Sequence, residues 1–328
     1  MRRLSPVIID GKPAYIDESG AIVLPLAFSV SQEFSEGFAA VGLLDPKKKK
    51  DRFTGRIRYL WGYIDDGGSQ ITDACFEGAR PFSEGFAAVQ IDGKWGYIDT
   101  RGQVAISPQF EVAFEFSEGL ASVARGTKWA AITTQGEVVF EVSASALGEC
   151  KEGLMNCEFR KKWSYLDREG QPVITLPCSA ASPFSEGFAT VLAKGKMGYI
   201  DKQGTFVIPP QFALAMDFHE GWALVEFLPG GKRDYSKPQV FGFIDKTGAN
   251  TFGKEYCNAS GFSEGLASVC VSSRKRASYI DLQGETVVPE LSCNKAGPFR
   301  NGLAWIEFDT CIRGYINRNG ETVWKNER

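Results

Sequence analysis

Phe82 to Asp99 reads FSEGFAAVQIDGKWGYID, and this stretch decides the fold because close copies of it recur along the chain. Aligning the Trp-Gly-Tyr-Ile-Asp string places first residues at Pro13, Trp61, Trp95, Trp129, Trp163, Met197, Phe241, Ala277 and Arg313. Their spacings are 48, 34, 34, 34, 34, 44, 36 and 36. Phe-Ser-Glu-Gly, aligned independently, falls at Phe34, Phe82, Phe116, Cys150, Phe184, Phe218, Phe262 and Phe299, with steps 48, 34, 34, 34, 34, 44 and 37. Two anchors agree on one 34-residue unit, the mark of a repeat architecture.

Each unit reads as an antiparallel β-meander. Phe86–Ile91 alternates large and small side chains as strand A, and Asp92-Gly93 turns the chain into strand B, Lys94–Asp99. Asp99-Thr100-Arg101-Gly102 opens on Asp and closes on Gly, a type I signature. Strand C is expected over Gln103–Ser107 and to stop at Pro108, which has no N–H for a ladder. About ten residues then lead to the next Phe-Ser-Glu-Gly, with room for a fourth short strand. Period 2 places Trp95, Tyr97 and Asp99 on one face of strand B, and Gly96 and Ile98 on the other. Gly96 weakens a strand, so it is expected where a neighbouring backbone or ring comes close. A single unit buries too few aromatics, at about 2–3 kcal/mol each, to offset roughly 1–2 kcal/mol of conformational entropy per residue. The units must stack.

The string FSEGFAAVQIDGKWGYIDTRG and its neighbours resemble the WG (KWG) β-repeat family of bacterial proteins, over nearly the whole chain from Val7 to Trp324. That resemblance implies a repeat fold and brings no catalytic residue with it. Units at Pro13 (PAYID), Trp129 (WAAIT), Trp163 (WSYLD) and Ala277 (ASYID) depart at the Gly, so their local packing should differ. The expected architecture is all-β: about nine antiparallel meander repeats in an elongated, curved array, with a closed β-propeller as the alternative. Residues 1–33 form a truncated first repeat, 34–324 hold eight repeats, and 325–328 are a tail.

Insertions mark candidate function, since in repeat proteins they project from one face. They fall between strands A and B at 43–60 and 228–240, with a smaller expansion near Ser273. The resulting rim carries Lys47, Lys48, Lys49, Lys50, Arg52, Arg56, Arg58, Lys232, Arg233, Lys237, Arg274, Lys275 and Arg276. Short A–B turns add Lys94, Arg125, Lys128, Lys161, Lys162, Lys194 and Lys196. The opposite edge brings the acids of the two remaining motif turns, from Asp17 to Asp281 and from Glu36 to Glu264. A net charge of −3 therefore conceals a basic and an acidic edge, a separation that steers a charged partner.

Repeated tryptophans at 61, 95, 129 and 163 raise a lectin reading, but Met197, Phe241, Ala277 and Arg313 at the same place argue for packing. His219, the one histidine, replaces the Ser of a repeated turn, so a Ser or Cys triad lacks its base. P-loop, HExxH, Rossmann and DxDxDG signatures are missing. Cofactors and metals are not expected. The eight cysteines contain no CxxC, and Cys150 and Cys157 replace Phe116 and Val123 of another copy as core residues. Cys257 and Cys293 sit at matching places in successive copies and are a candidate close pair. The N-terminus has no apolar signal core, and no run is long enough to span a membrane, so a cytoplasmic protein is expected.

These features point to a non-catalytic scaffold whose basic rim binds a protein with an acidic surface. A toxin or effector masked by an immunity or inhibitor protein is one such partner. The alternatives are a polymer-acting carbohydrate hydrolase or lectin, and nucleic-acid binding with Phe53 and Tyr59 as stacking platforms.

Overall fold

The computed structural model describes residues 2–47, 57–228, 231, 236, 238–271 and 276–326. Strands Phe86–Ile91 and Lys94–Asp99 pair from Lys94↔Ile91 to Asp99↔Phe86. Between them Asp92 (φ 49°) and Gly93 (φ 74°) are both left-handed, the turn that matches the strands' own twist. Asp99 then closes its turn: Gly102 N–H bonds to its carbonyl, while Oδ1 accepts from Arg101 and Gln103 N–H, each at 2.9 Å.

Strand C runs from Val104 to Phe110 and continues through Pro108 rather than stopping at it. Pairing jumps from Tyr97↔Ile106 to Trp95↔Phe110, so the intervening residues of strand C bulge out of the ladder. Pro108 lies in that bulge, where a missing N–H costs nothing. The bulge also explains Gly96. A Cβ there would stand 2.5 Å from the Ile106 carbonyl oxygen and 2.7 Å from Pro108 N. Gly62 and Gly198 meet the equivalent backbone at 2.7 and 2.6 Å. Copies with Ala14, Ala130 or Ser164 at this place pair strand C in unbroken register there, whereas the copy with Ser278 keeps a break of register.

The fourth strand exists, and it pairs with strand A of the following repeat: Val112–Ala113 lies beside Leu120–Arg125. The described residues form nine small antiparallel sheets in chain order. Seven have four strands; the first and the seventh have three. No α-helix occurs among the described residues.

The chain divides into two compact units. The first comprises Met1–Asp17, Ala21–Arg160 and Asp167–Gln171. The second comprises Glu18–Gly20, Lys161–Leu166 and Pro172–Arg328. Within the second, the turn Glu18–Gly20 lies against the last sheet. Gly20 leaves room for Val323, whose carbonyl carbon would be 2.6 Å from an added Cβ, and Glu18 lies beside Gly302. The expectation of an elongated open array is therefore corrected: the nine sheets are the blades of a β-propeller, the alternative reading. Each blade is built from one continuous stretch, so closure needs no blade shared between the chain ends.

Strand B is buried on both faces. In the first unit Tyr97 joins Ile106, Phe110, Phe116, Val123 and Ile132 in one cluster, while Ile98 joins Tyr63, Phe76, Phe82 and Val89 in another. In the second unit Tyr199 and Phe218 occupy one cluster, and Phe243 and Phe262 the next. Each buried tyrosine spans toward the following repeat: Tyr63, Tyr97, Tyr165 and Tyr199 hydroxyls donate to the carbonyls of Arg80, Phe114, Ser182 and Met216 at 2.7 Å. Burial pushes the Tyr97 phenol up, which keeps it a donor.

Candidate interaction surface

The rim predicted at the A–B turns falls largely outside the described residues. Lys48, Lys49, Lys50, Arg52, Arg56, Lys232, Arg233, Lys237, Arg274 and Lys275 all lie there. Lys47, Arg58 and Arg276 are described. At the root of the longest insertion, Asp45 is 7% exposed, donates its N–H to the Arg58 carbonyl at 3.0 Å, and accepts Lys47 N–H at 2.8 Å. This ties the two ends of the insertion together. Just inside it, strands Phe38–Leu44 and Tyr59–Asp65 pair through Leu43↔Leu60 and Leu44↔Tyr59. Leu44 and Ile57 are 52% and 51% exposed and Leu43 is exposed as well, so an apolar stem meets a basic run in the chain.

The division into a basic and an acidic edge holds only in part. Strand C returns the chain to the A–B side, and its last residues together with those that follow bring carboxylates there. Glu111 accepts from Lys94 at 2.7 Å and from Gly126 N–H at 3.0 Å, and Glu77 accepts from Gly93 N–H at 2.8 Å. Lys128 pairs with Glu141 at 2.8 Å, and Arg276 pairs with Glu290. Lys94, followed by the Gly126 N–H, holds the Glu111 carboxyl down to about 2. Exposed pairs of this kind contribute little stability. Their consequence here is that Lys94 and Lys128 on the short turns, and Arg276 at the edge of an insertion, are paired and not free cations.

The opposite edge is consumed by the fold. The Glu of each Phe-Ser-Glu-Gly accepts from backbone N–H groups in the same turn of the next repeat. Glu36 takes Glu84 and Gly85 N–H at 2.7 and 2.9 Å, and Glu84 takes Gly119 N–H at 2.8 Å. Glu118 takes Glu152 and Gly153 N–H at 2.6 and 2.8 Å. In the second unit Glu186, Glu220 and Glu264 reach Gly221, Gly265 and Gly302. The Ser beside each Glu does the same for a carbonyl: Ser35, Ser83 and Ser117 donate to Phe82, Phe116 and Cys150 at 2.7 Å. Sequence reasoning took these residues for turn formers and missed the clasp. Its signal was the pairing of acceptor and donor one period apart.

Burial raises the Glu118 carboxyl, but Gly153 and Glu152 N–H, the Cys150 thiol and Arg168 outweigh it, and the group ends below its ordinary value of 4.5. A lowered folded-state value means stability present above about 4.5 and lost as pH falls. Glu118→Gln should therefore cost about 1 kcal/mol at neutral pH, a figure that allows for screening of a half-exposed side chain. The difference between variant and parent should shrink as urea titrations move from pH 6 toward pH 3; a constant difference would reject the clasp.

The tryptophans are packing residues. Trp95 and Trp61 lie half-buried against their clusters, and Arg80 sits 5.4 Å above the Trp95 ring. Trp129 stacks on Phe114 at 5.9 Å. His219 bridges backbone with Trp222, as Ser does in the other turns, and its ring is exposed. Cys150 and Cys157 are buried, as their repeat positions suggest. The sulfur in contact with Cys257 is that of Cys270, at 3.0 Å, because the fourth strand runs beside strand A of the next repeat.

A family model for the WG containing repeat matches residues 14–43, 61–95, 95–129, 163–196, 197–227, 241–273 and 278–309. Among curated proteins none matches the chain. A crystal structure of a eukaryotic initiation factor is similar at TM-score 0.69 and 10% identity, covering 100% of this chain and 96% of that one. BamB from Moraxella catarrhalis has TM-score 0.43 and 10% identity over 100% and 98% of the two chains. A streptogramin B lyase has TM-score 0.37 and 13% identity over 69% and 88%. The first likeness extends to the whole fold and, at that identity, to the fold alone.

Proposed function

The chain belongs to the family of WG containing repeats, and from that membership we propose that it is a non-catalytic, cytoplasmic scaffold that binds another protein and masks it, as an immunity or inhibitor protein does. One observation carries the reading. At the longest insertion Leu43, Leu44 and Ile57 are exposed, and in the sequence the run Lys47 to Lys50 lies between them. An apolar centre bordered by charge is the composition of a protein-binding patch, and the positive border favours an acidic partner surface. The repeated motif residues support the same reading from the other side, since their polar groups are engaged in joining one repeat to the next.

Replacing Lys47–Lys50 with Glu, or deleting 45–58, is expected to abolish capture of the partner from the native cell while leaving the melting temperature within a few degrees. Nuclease treatment separates the two partner classes: a nucleic acid is lost with it, whereas an acidic protein surface, itself weakened by salt, is retained. Unaltered capture by both variants would reject this surface.

A further inference from the structure

Cys257 and Cys270 are thiols on neighbouring segments of the eighth sheet, one in the residue before Asn258–Ala259 and the other ending Leu266–Cys270. The Cys257 Sγ–H donates to Cys270 Sγ across 3.0 Å, and Cys257 N–H donates to the Cys270 carbonyl at 2.8 Å. Backbone bonding thus holds the two sulfurs in contact, with neither completely buried. Their surroundings are asymmetric. Cys270 lines a cavity of ≈ 190 Å³ together with Asn258, Arg276, Cys293, Lys295 and Trp305, and Cys257 does not line it.

We propose that Cys257 and Cys270 are a reversible dithiol–disulfide site, oxidised through the cavity by a small disulfide that carries carboxylates. The Cys270 thiolate attacks one sulfur of the incoming disulfide, forming a mixed disulfide in the cavity and releasing the first thiolate. Cys257 then loses its proton to solvent and attacks the Cys270 sulfur, forming the internal bond and expelling the second thiolate. Two protein thiols are oxidised, one external disulfide is reduced to two thiols, and the balance closes. Lys295 at the cavity favours an anionic reagent, while Arg276 is paired with Glu290. Burial, followed by the neighbouring Cys270 sulfur, pushes the Cys257 thiol up to about 11; the attacking role falls to Cys270 because it lines the cavity.

The test treats the full chain with oxidised glutathione and counts thiols. Loss of two of the eight is expected, with the lost pair mapped after cleavage behind Glu264, which separates Cys257 from Cys270. The fragment holding Cys257 should be linked to that holding Cys270. Cys257→Ser should trap glutathione on Cys270, whereas Cys270→Ser should leave Cys257 a thiol. Reduction with dithiothreitol should restore all eight. A bridge from Cys270 to Cys293, glutathione on Cys75 and Cys311 alone, or no loss of thiols would each overturn the proposal.

Discussion

Gly96→Val is expected to destabilise the protein by about 3 kcal/mol or more, beyond the cost of an ordinary overpacked side chain. The reason is the kind of atom it meets. An added Cβ would stand 2.5 Å from the Ile106 carbonyl oxygen, 2.7 Å from Pro108 N and 2.9 Å from Pro108 Cα, all backbone. A flexible side chain would swing aside, but here the bulged strand Val104–Phe110 must move, and with it Phe110, which is 2% exposed. The proper control lies in another copy of the same position. Ser164 faces Thr175 in a regular ladder, so Ser164→Val should change stability by under about 1 kcal/mol. Urea midpoints of the two variants measure the contrast. Equal midpoints would mean that the glycine answers to something other than the bulge.

What was legible in the sequence was local. Strands A and B, their Asp-Gly turn and the Asp-x-x-Gly turn follow from period 2 and turn chemistry, and Phe86–Ile91 and Lys94–Asp99 end where those rules end them. Pro108 misled because the rule against proline in a ladder takes a regular strand for granted, and this one bulges at that residue. Closure of the propeller was not legible, because it depends on where the Glu18–Gly20 turn finds itself some three hundred residues before its neighbour Val323. The cysteine pair was missed for a related reason. Comparing equivalent positions brings Cys257 to Cys293, whereas pairing of the fourth strand with the next strand A brings it to Cys270. Of the predicted rim, identity and charge were readable, but the glutamates that pair with Lys94 and Lys128 were not, since Glu111 follows strand C and Glu141 lies within it, and where each arrives depends on the length of that strand.

The second large effect separates the residue that names the repeat from the residue that holds it. Phe116→Ala should cost about 3–5 kcal/mol, the range for deleting a buried aromatic. Its ring is 1% exposed, 4.8 Å from Tyr97 and 5.3 Å from Phe86, and its carbonyl receives the Ser83 hydroxyl. Trp95 has the more conspicuous side chain, but it is only half-buried, at the border of the same cluster. Trp95→Ala should therefore cost less, about 2 kcal/mol, even though it removes a larger ring and the cation–π contact with Arg80. Cys150 tests the logic from within the molecule: it stands at the position of Phe116 in the next copy and is buried too, so a small residue is accommodated there by repacking. Phe116→Cys should accordingly remain costly, because its own neighbours Phe86, Tyr97 and Phe110 are shaped around a ring. Thermal unfolding of the three variants ranks them, and a larger loss for Trp95→Ala than for Phe116→Ala would shift the core of the repeat to the tryptophan.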